Sequence, residues 1–214
     1  MERRNFLKHL GGLSLAAAAS ASQAAELCQL TPAQTPGPFY PGESKFVPDN
    51  DLTRLPGSSR IALGEIIYIE GVVTDTECRP VANANVEIWQ ACASGRYNND
   101  RDPNPAPLDP AFRYWGETFT DADGRYSFKS IKPGAYPADN DWDRPPHIHF
   151  RIAKRGYKEL ITQLYFKGDP LNDLDKILQQ VPVRLRPEVI VDFVQHPSDP
   201  LATIGQFNIS IEKI

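Results

Sequence analysis

His147 and His149, two positions apart in the run RPPHIHF, together with Tyr97 in GRY and Tyr136 in PGAYP, are the residues whose types and spacing suit metal chemistry. Along an extended strand the side chains alternate between faces, so residues at i and i+2 point the same way and both imidazoles can converge on one ion. The chain has four histidines in all, and the other two, His9 near the N-terminus and His196 in a Pro-rich stretch, stand alone. The competing reading is two polar residues on the wet face of an antiparallel strand. The tyrosines tilt the balance toward metal. A phenol loses its proton at about pH 10 in water, so it ligates as an anion only beside a strong Lewis acid, and trivalent iron does this better than divalent zinc. With eight tyrosines present, an ordinary core or interface role for each remains the alternative.

The elements that must position these side chains are short and β-rich. Runs at Ile66–Thr74, Asn85–Trp89, Thr118–Asp121, Arg125–Ser130, Ile148–Ala153, Leu160–Phe166, Val181–Leu185, Val189–Val194 and Phe207–Ile211 read as strands, punctuated by Asp123-Gly124 and Pro133-Gly134. The fold expected is all-β: an antiparallel β-sandwich with long loops, an extended N-terminal arm and one short helix. The helix is placed over Asp169–Gln179, with Pro170 in its first turn and an apolar face of Leu171, Leu174, Ile177 and Leu178. Residues 26–64, rich in Pro and Gly, form the arm, and residues 65–214 form a single domain. The Pro-rich stretch from Arg96 to Trp115 is a long loop of the kind that carries function.

The first 25 residues are a separate object: Arg3-Arg4 ahead of Phe6-Leu7-Lys8, an apolar run from Leu10 to Ala19, then small residues through Ala25. They read as a twin-arginine-like export signal, which places the mature protein in the periplasm or outside the cell, without a membrane span. A net charge of −4 and a pI near 5.6 give no basic surface for nucleic acid. The three cysteines have no C-x-x-C spacing for zinc, but Cys28 and Cys78 could pair in an oxidising compartment, leaving Cys92 as a buried thiol.

At this point the sequence resembles the intradiol ring-cleavage dioxygenases, in their protocatechuate-type branch. The matching stretches are TPGPFYP (Thr35–Pro41), DLTR (Asp51–Arg54), VEIWQA (Val86–Ala91), GRY (Gly95–Tyr97), DPAF (Asp109–Phe112), TDADGRYSFKSIKPGAYP (Thr120–Pro137), RPPHIHF and ITQLYFKGDP (Ile161–Pro170). They stand in the family's order and span most of the chain after the leader. The resemblance implies a non-haem Fe(III) held by Tyr97, Tyr136, His147 and His149, with Tyr136 and His147 axial. It implies a small aromatic diol and O2 as substrates, cleaved between the two hydroxylated carbons to a muconate-type diacid. Tyr136 would act as a base on the diol, Arg144 would stabilise negative charge beside the ring, and Gln163 would sit close to Arg144. Assembly with a second copy or with a chain of similar fold is also implied.

The sequence departs from that pattern at Ala138, where the branch commonly carries Trp, at Asn98-Asn99, where Arg-His is usual, and at Cys92 and Ser94. These positions leave the ring substituents of the substrate open. The alternative from another class is an exported transthyretin-like β-sandwich that carries a ligand or stores metal without turnover, since fold alone never establishes catalysis.

Overall fold

A computed structural model describes residues 28–41 and 48–214 of the chain, so the export signal expected at residues 1–25 lies outside the described residues. The strands are β1 (Ile66–Asp75), β2 (Asn85–Trp89), β3 (Trp115–Phe119), β4 (Arg125–Ile131), β5 (Tyr136–Asp139), β6 (Trp142–Arg144), β7 (His147–Ala153), β8 (Leu160–Phe166), β9 (Ile190–Val191), β10 (Phe193–Gln195), β11 (Ala202–Gln206) and β12 (Ile209–Ile211). One five-stranded sheet runs β10-β11-β1-β12 with β4 also on β1, a second runs β3-β2-β7-β8-β9, and β5 and β6 form a separate hairpin.

The two large sheets form the expected all-β sandwich. Val86 and Ile88 of β2, with Ile148, Phe150 and Ile152 of β7, join Ile67, Ile69 and Val73 of β1 and Phe128 of β4 in one buried cluster. Each of these alternates with a residue of different character, the pattern that gives a strand one apolar face. Aromatic rings tighten the packing: Phe150 lies 5.0 Å from Phe207 and about edge-on to Phe128 and Tyr126 at 6.4 and 6.2 Å.

Most strands lie where the alternation puts them, and the differences have local causes. The pairing is mixed, because β11 and β12 run parallel to β1, and β9 runs parallel to β8. β3 begins upstream of its expected start and stops before Asp121, whose carboxylate accepts the N–H groups of Asp123 and Arg125 in the following turn. The run Val181–Leu185 is no strand: residues Val183–Glu188 form a 3-10 turn with Pro182 at its N-cap and Pro187 inside it, neither of which can donate to a ladder. β5, β6 and β11 carry too little alternation to be read from sequence.

The helix expected over Asp169–Gln179 is also different in detail. It consists of 3-10 turns at Pro170–Asp173 and Leu178–Gln180, the first capped by the Asp169 carboxylate, which accepts Leu171 N–H. The residues turned inward are Asn172, Asp175 and Leu178, three apart, while Leu174 is 67% exposed. Hydrogen bonds select that face: Asn172 Nδ2 donates to Phe166 O at 2.7 Å and Asp175 Oδ1 accepts Arg144 Nε at 2.9 Å.

The arm is extended, as expected, and it lies on its own domain. The Cys28–Cys78 disulfide ties its start to the turn after β1, and Cys92 is a free, buried thiol. Farther along, Thr31 N–H reaches Ser210 O at 3.2 Å and Gln34 N–H reaches Ile161 O at 2.8 Å. Among the described residues no helix is long and apolar enough to cross a membrane. Phe150, fully buried at the centre of the ring cluster, tests this core: Phe150→Ala is expected to lower unfolding free energy by about 3–5 kcal/mol, read as a shift of the urea midpoint at unchanged slope.

Candidate metal centre

β7 has two faces with two jobs. Ile148, Phe150 and Ile152 enter the core, so His147, His149 and Arg151 must emerge on the far side of the same sheet. The register then sets their neighbours: Trp89 and Gln163 flank His149, Tyr165 sits opposite His147, and Glu87 and Ile161 flank Arg151. This outer face is not wet. His147 and His149 are each 2% exposed, because a second cluster of Trp89, Ala91, Tyr97, Trp115 and Tyr136 packs there with Phe39 and Ile161.

The four expected ligands come together. The Tyr97 hydroxyl lies 3.3 Å from His147 Nε2, and the Tyr97 and Tyr136 rings are edge-on with centroids 5.6 Å apart. Tyr136 and His147 rings are 5.7 Å apart, and those of His147 and His149 are 5.0 Å apart. His147 Nδ1 lies 2.7 Å from Pro145 O, a contact that places the proton on Nδ1 and the lone pair on Nε2, facing Tyr97. His149 stacks flat on Trp89 at 4.8 Å, and its Nδ1 is buried with no hydrogen-bond partner among the described residues.

Local backbone holds the tyrosines. Asp102 Oδ2 accepts Tyr97 N–H at 2.7 Å while Oδ1 accepts Asn104 N–H, folding the Pro-rich loop back under Tyr97. Gly95, at φ +82°, lies so close to Ala135 O that a Cβ there would collide with the backbone leading into Tyr136. The two tyrosine-bearing loops meet at that glycine.

Burial decides the charge state. It pushes His147 and His149 well below the ordinary imidazole range, helped by the positive charge of Arg144, so both are neutral donors. Burial also raises Tyr97 well above the ordinary phenol value, with Tyr136 adding to it, and raises Tyr136 against the opposing pull of Arg144. The donor set is therefore uncharged by itself, and a strongly charged cation is what would ionise the phenols. Hard phenolate oxygens with imidazoles fit a ferric ion, and the orphaned His149 nitrogen is a buried donor wanting a partner. Among the described residues no three His, Cys, Asp or Glu side chains are grouped so that they could hold a metal ion, so the tyrosines are essential to this reading.

Arg144 and Gln163 are both at the site, 3% and 0% exposed, and neither faces solvent. Arg144 pairs across the β5–β6 hairpin with Tyr136, and its Nη2 donates to Gln163 Oε1 at 2.7 Å. Its carboxylate partner is Asp175, with Nε to Oδ1 at 2.9 Å, and not the sequence neighbours Asp141 or Asp143. Sequence reasoning gave no part to Asp175, Tyr165 or the arm residues. The alternation in LITQLYF that places Gln163 outward also places Tyr165 there, so that signal was present. Tyr165 O–H donates to Gln34 Oε1 at 2.9 Å, Gln163 Nε2 donates to Thr35 O at 3.0 Å, and Phe39 covers Tyr97 at 4.8 Å. The arm thus closes over the centre in the same chain. Ala138 is exposed on β5, leaving that side without a wall; the ring on the paired strand is Trp142, opposite Asp139.

The dioxygenase family profile matches residues 36–212. The protocatechuate 3,4-dioxygenase beta chain of Burkholderia cepacia is 45% identical over 160 residues, which cover 73% of this chain and 68% of that one. The catechol 1,2-dioxygenase of Candida albicans is 29% identical, over 82% of this chain and 58% of its own length. Among solved structures, the dioxygenase domain of a dioxygenase and carbohydrate-binding fusion protein from Streptomyces sp. SirexAA-E superposes with a TM-score of 0.66 at 27% identity, covering 87% of this chain and 100% of that domain. The 3-chlorocatechol 1,2-dioxygenase of Rhodococcus opacus, at 23% identity and a TM-score of 0.67 over 91% of this chain and 76% of its own, shares the fold.

Because Gly95 sets the approach of the two tyrosine loops, Gly95→Ala is expected to lower ferric iron uptake at least tenfold while the protein stays folded. Iron titration followed by elemental analysis and circular dichroism checks both halves.

Proposed function

This chain belongs to the intradiol ring-cleavage dioxygenase family, and on that premise we propose that it cleaves a catechol-type aromatic diol between its two hydroxylated carbons, inserting both atoms of O2 to give a muconate-type diacid. The observation that carries the reading is the convergence of Tyr97, Tyr136, His147 and His149 on one buried point beside a buried Arg144. A non-haem Fe(III) would be held by those four side chains and would supply Lewis acidity toward the diol and the redox activity that readies the ring for oxygen.

The chain's own residues account for the rest. Tyr136, paired across the hairpin with Arg144, would take a proton from the incoming diol at its phenolate oxygen once a bound cation has ionised it. The Arg144 guanidinium, fixed in a dry site, stabilises negative charge that grows on the ring, a contribution of about 2–4 kcal/mol. Gln163 holds Arg144 Nη2 in place. Phe39, Trp89 and the arm exclude water, which strengthens each of these interactions.

The finer reading is a protocatechuate-like substrate, supported by the 45% identity to the beta chain against 29% to the catechol enzyme. We also infer export through the twin-arginine-like leader, a reading supported by the Cys28–Cys78 disulfide, which suits an oxidising compartment. Assembly with a second copy or a similar chain belongs to the same proposal. The carrier or metal-storage alternative has no observation in its favour, since storage does not call for a buried guanidinium beside the donors.

Purified protein loaded with Fe(III) is expected to show a broad visible phenolate-to-iron band that moves to longer wavelength when catechol or protocatechuate is added under nitrogen. Fully iron-loaded but colourless protein would exclude tyrosine ligation and with it the enzyme reading. Arg144→Gln should lower kcat by about 30- to 1000-fold, the rate equivalent of 2–4 kcal/mol, in an oxygen-uptake assay. Tyr136→Phe should slow the diol's deprotonation in stopped-flow mixing; unchanged turnover would remove Tyr136 from that role.

A further inference from the structure

Asp175 is fully buried on the connector between β8 and β9, far along the chain from the hairpin it serves. Its Oδ1 accepts Arg144 Nε at 2.9 Å and Trp142 Nε1 at 3.2 Å; its Oδ2 accepts Leu178 N–H at 3.1 Å and Arg144 Nη2 at 3.3 Å. We propose that Asp175 is a positioning residue for ring cleavage, fixing the plane and direction of the Arg144 guanidinium beside Tyr136. The inference rests on the dioxygenase reading of the same site.

The contacts show which partner depends on the other. The connector has further anchors: Asn172 Nδ2 donates to Phe166 O at 2.7 Å, Asp169 caps the first turn, and Leu178, Val181 and Val189 pack around Tyr165. Asp175 is one hold among several for that segment. For Arg144, Asp175 is the carboxylate partner, and it takes Nε together with one side of Nη2, while Gln163 Oε1 at 2.7 Å and the Tyr165 hydroxyl at 3.3 Å take the other. With Nε and Nη2 committed, Nη1 is the nitrogen left to face the reacting ring. A guanidinium is planar, so two fixed nitrogens define the third.

Trp142 completes the frame. Its indole N–H shares Oδ1 with Arg144, and its ring lies 5.6 Å from the guanidinium carbon and 5.1 Å from Lys176 Nζ. The hairpin that carries Tyr136 is thereby keyed to the connector through one carboxylate. Asn172, bonded to Phe166 O, and Leu178, packed against Tyr165, flank Asp175 on the same buried side of the connector and hold its carboxylate inward.

The test compares wild type, Asp175→Asn, Trp142→Phe, Arg144→Gln and the double variant Arg144→Gln with Asp175→Asn, all loaded to equal iron content. Asp175→Asn is expected to lose about 10- to 100-fold in kcat with KM within about threefold, and Trp142→Phe, which keeps the ring but not the N–H, about threefold in kcat. The double variant should match Arg144→Gln alone, because Asp175 acts through that side chain. In a crystal structure of metal-free Asp175→Asn the guanidinium should be turned away from Tyr136. Wild-type kcat in a folded Asp175→Asn protein, a further additive loss in the double variant, or an unmoved guanidinium would each overturn the proposal. Should Asp175→Asn fail to fold, the rate and the guanidinium orientation of Trp142→Phe decide by the same criteria. A wild-type protein that turns over no catechol would count against the function, not against Asp175, and the crystallographic orientation would then decide.

Discussion

The period of two along β7 is the constraint on which the rest of the structure depends. One strand buries Ile148, Phe150 and Ile152 between the sheets and sends His147 and His149 to the opposite face, so the candidate metal centre inherits the rigidity of the core. A slip of one residue in its pairing would exchange the two faces completely. Neighbouring strands prevent this from both sides: β2 pairs Ile88 with Phe150 and Trp89 with His149, and β8 pairs Leu164 with Ile148 and Gln163 with His149. Core packing and ligand placement are thus one choice of register.

Electrostatics explain why so polar a cluster tolerates burial. The imidazoles are neutral, the phenols keep their protons without a cation, and the permanent positive charge beside them, Arg144, is matched by Asp175. In the proposed reading a trivalent ion among two phenolates keeps a single positive charge. An unmatched guanidinium beside it would add a second in a region with little solvent to screen it. Pairing with Asp175 lets Arg144 donate directed hydrogen bonds with little net repulsion toward the ion. Gln163 and Tyr165 fill the remaining acceptor positions, so the network is satisfied around the cation and open toward the site.

Residues carried by simple periodicity were legible from the sequence: the strand alternation, the shared face of His147 and His149, and the sandwich itself. The ligand set and Arg144 with Gln163 were named through resemblance, and the geometry brings them together. Asp175 was hidden for a physical reason. The run DPLNDLDKILQQ carries leucines at helical spacing, yet the chain there turns with a shorter repeat and buries Asn172 and Asp175 while exposing Leu174. Apolar periodicity cannot report a face that is buried for its hydrogen bonds. The β5–β6 hairpin was hidden because its strands are short and their burial follows the site, with Tyr136 and Arg144 inside and Ala138 outside.

The arm shows how an irregular segment can finish a regular fold. Its ordering costs roughly 1–2 kcal/mol of backbone entropy per residue, and few of its side chains reach the core. Its first described stretch, residues 28–41, is held near both ends instead: Cys28 by the disulfide to Cys78, and Tyr40 by its O–H to Glu87 at 2.9 Å and its edge against Trp89 at 4.8 Å. Glu87 is itself fixed by Arg151 Nη1 at 2.6 Å, on the same outer face of the sheet as His149. Between those holds Gln34 and Thr35 bond Tyr165 and Gln163, the residues that contact Arg144 Nη2, and Gly37 lies against the His149 ring. The segment that excludes water from the centre therefore bonds the same side chains that orient the guanidinium. Closure of the site and alignment of its charge are consequences of one hydrogen-bonded path, running from the disulfide-tethered arm across β8 to the β5–β6 hairpin.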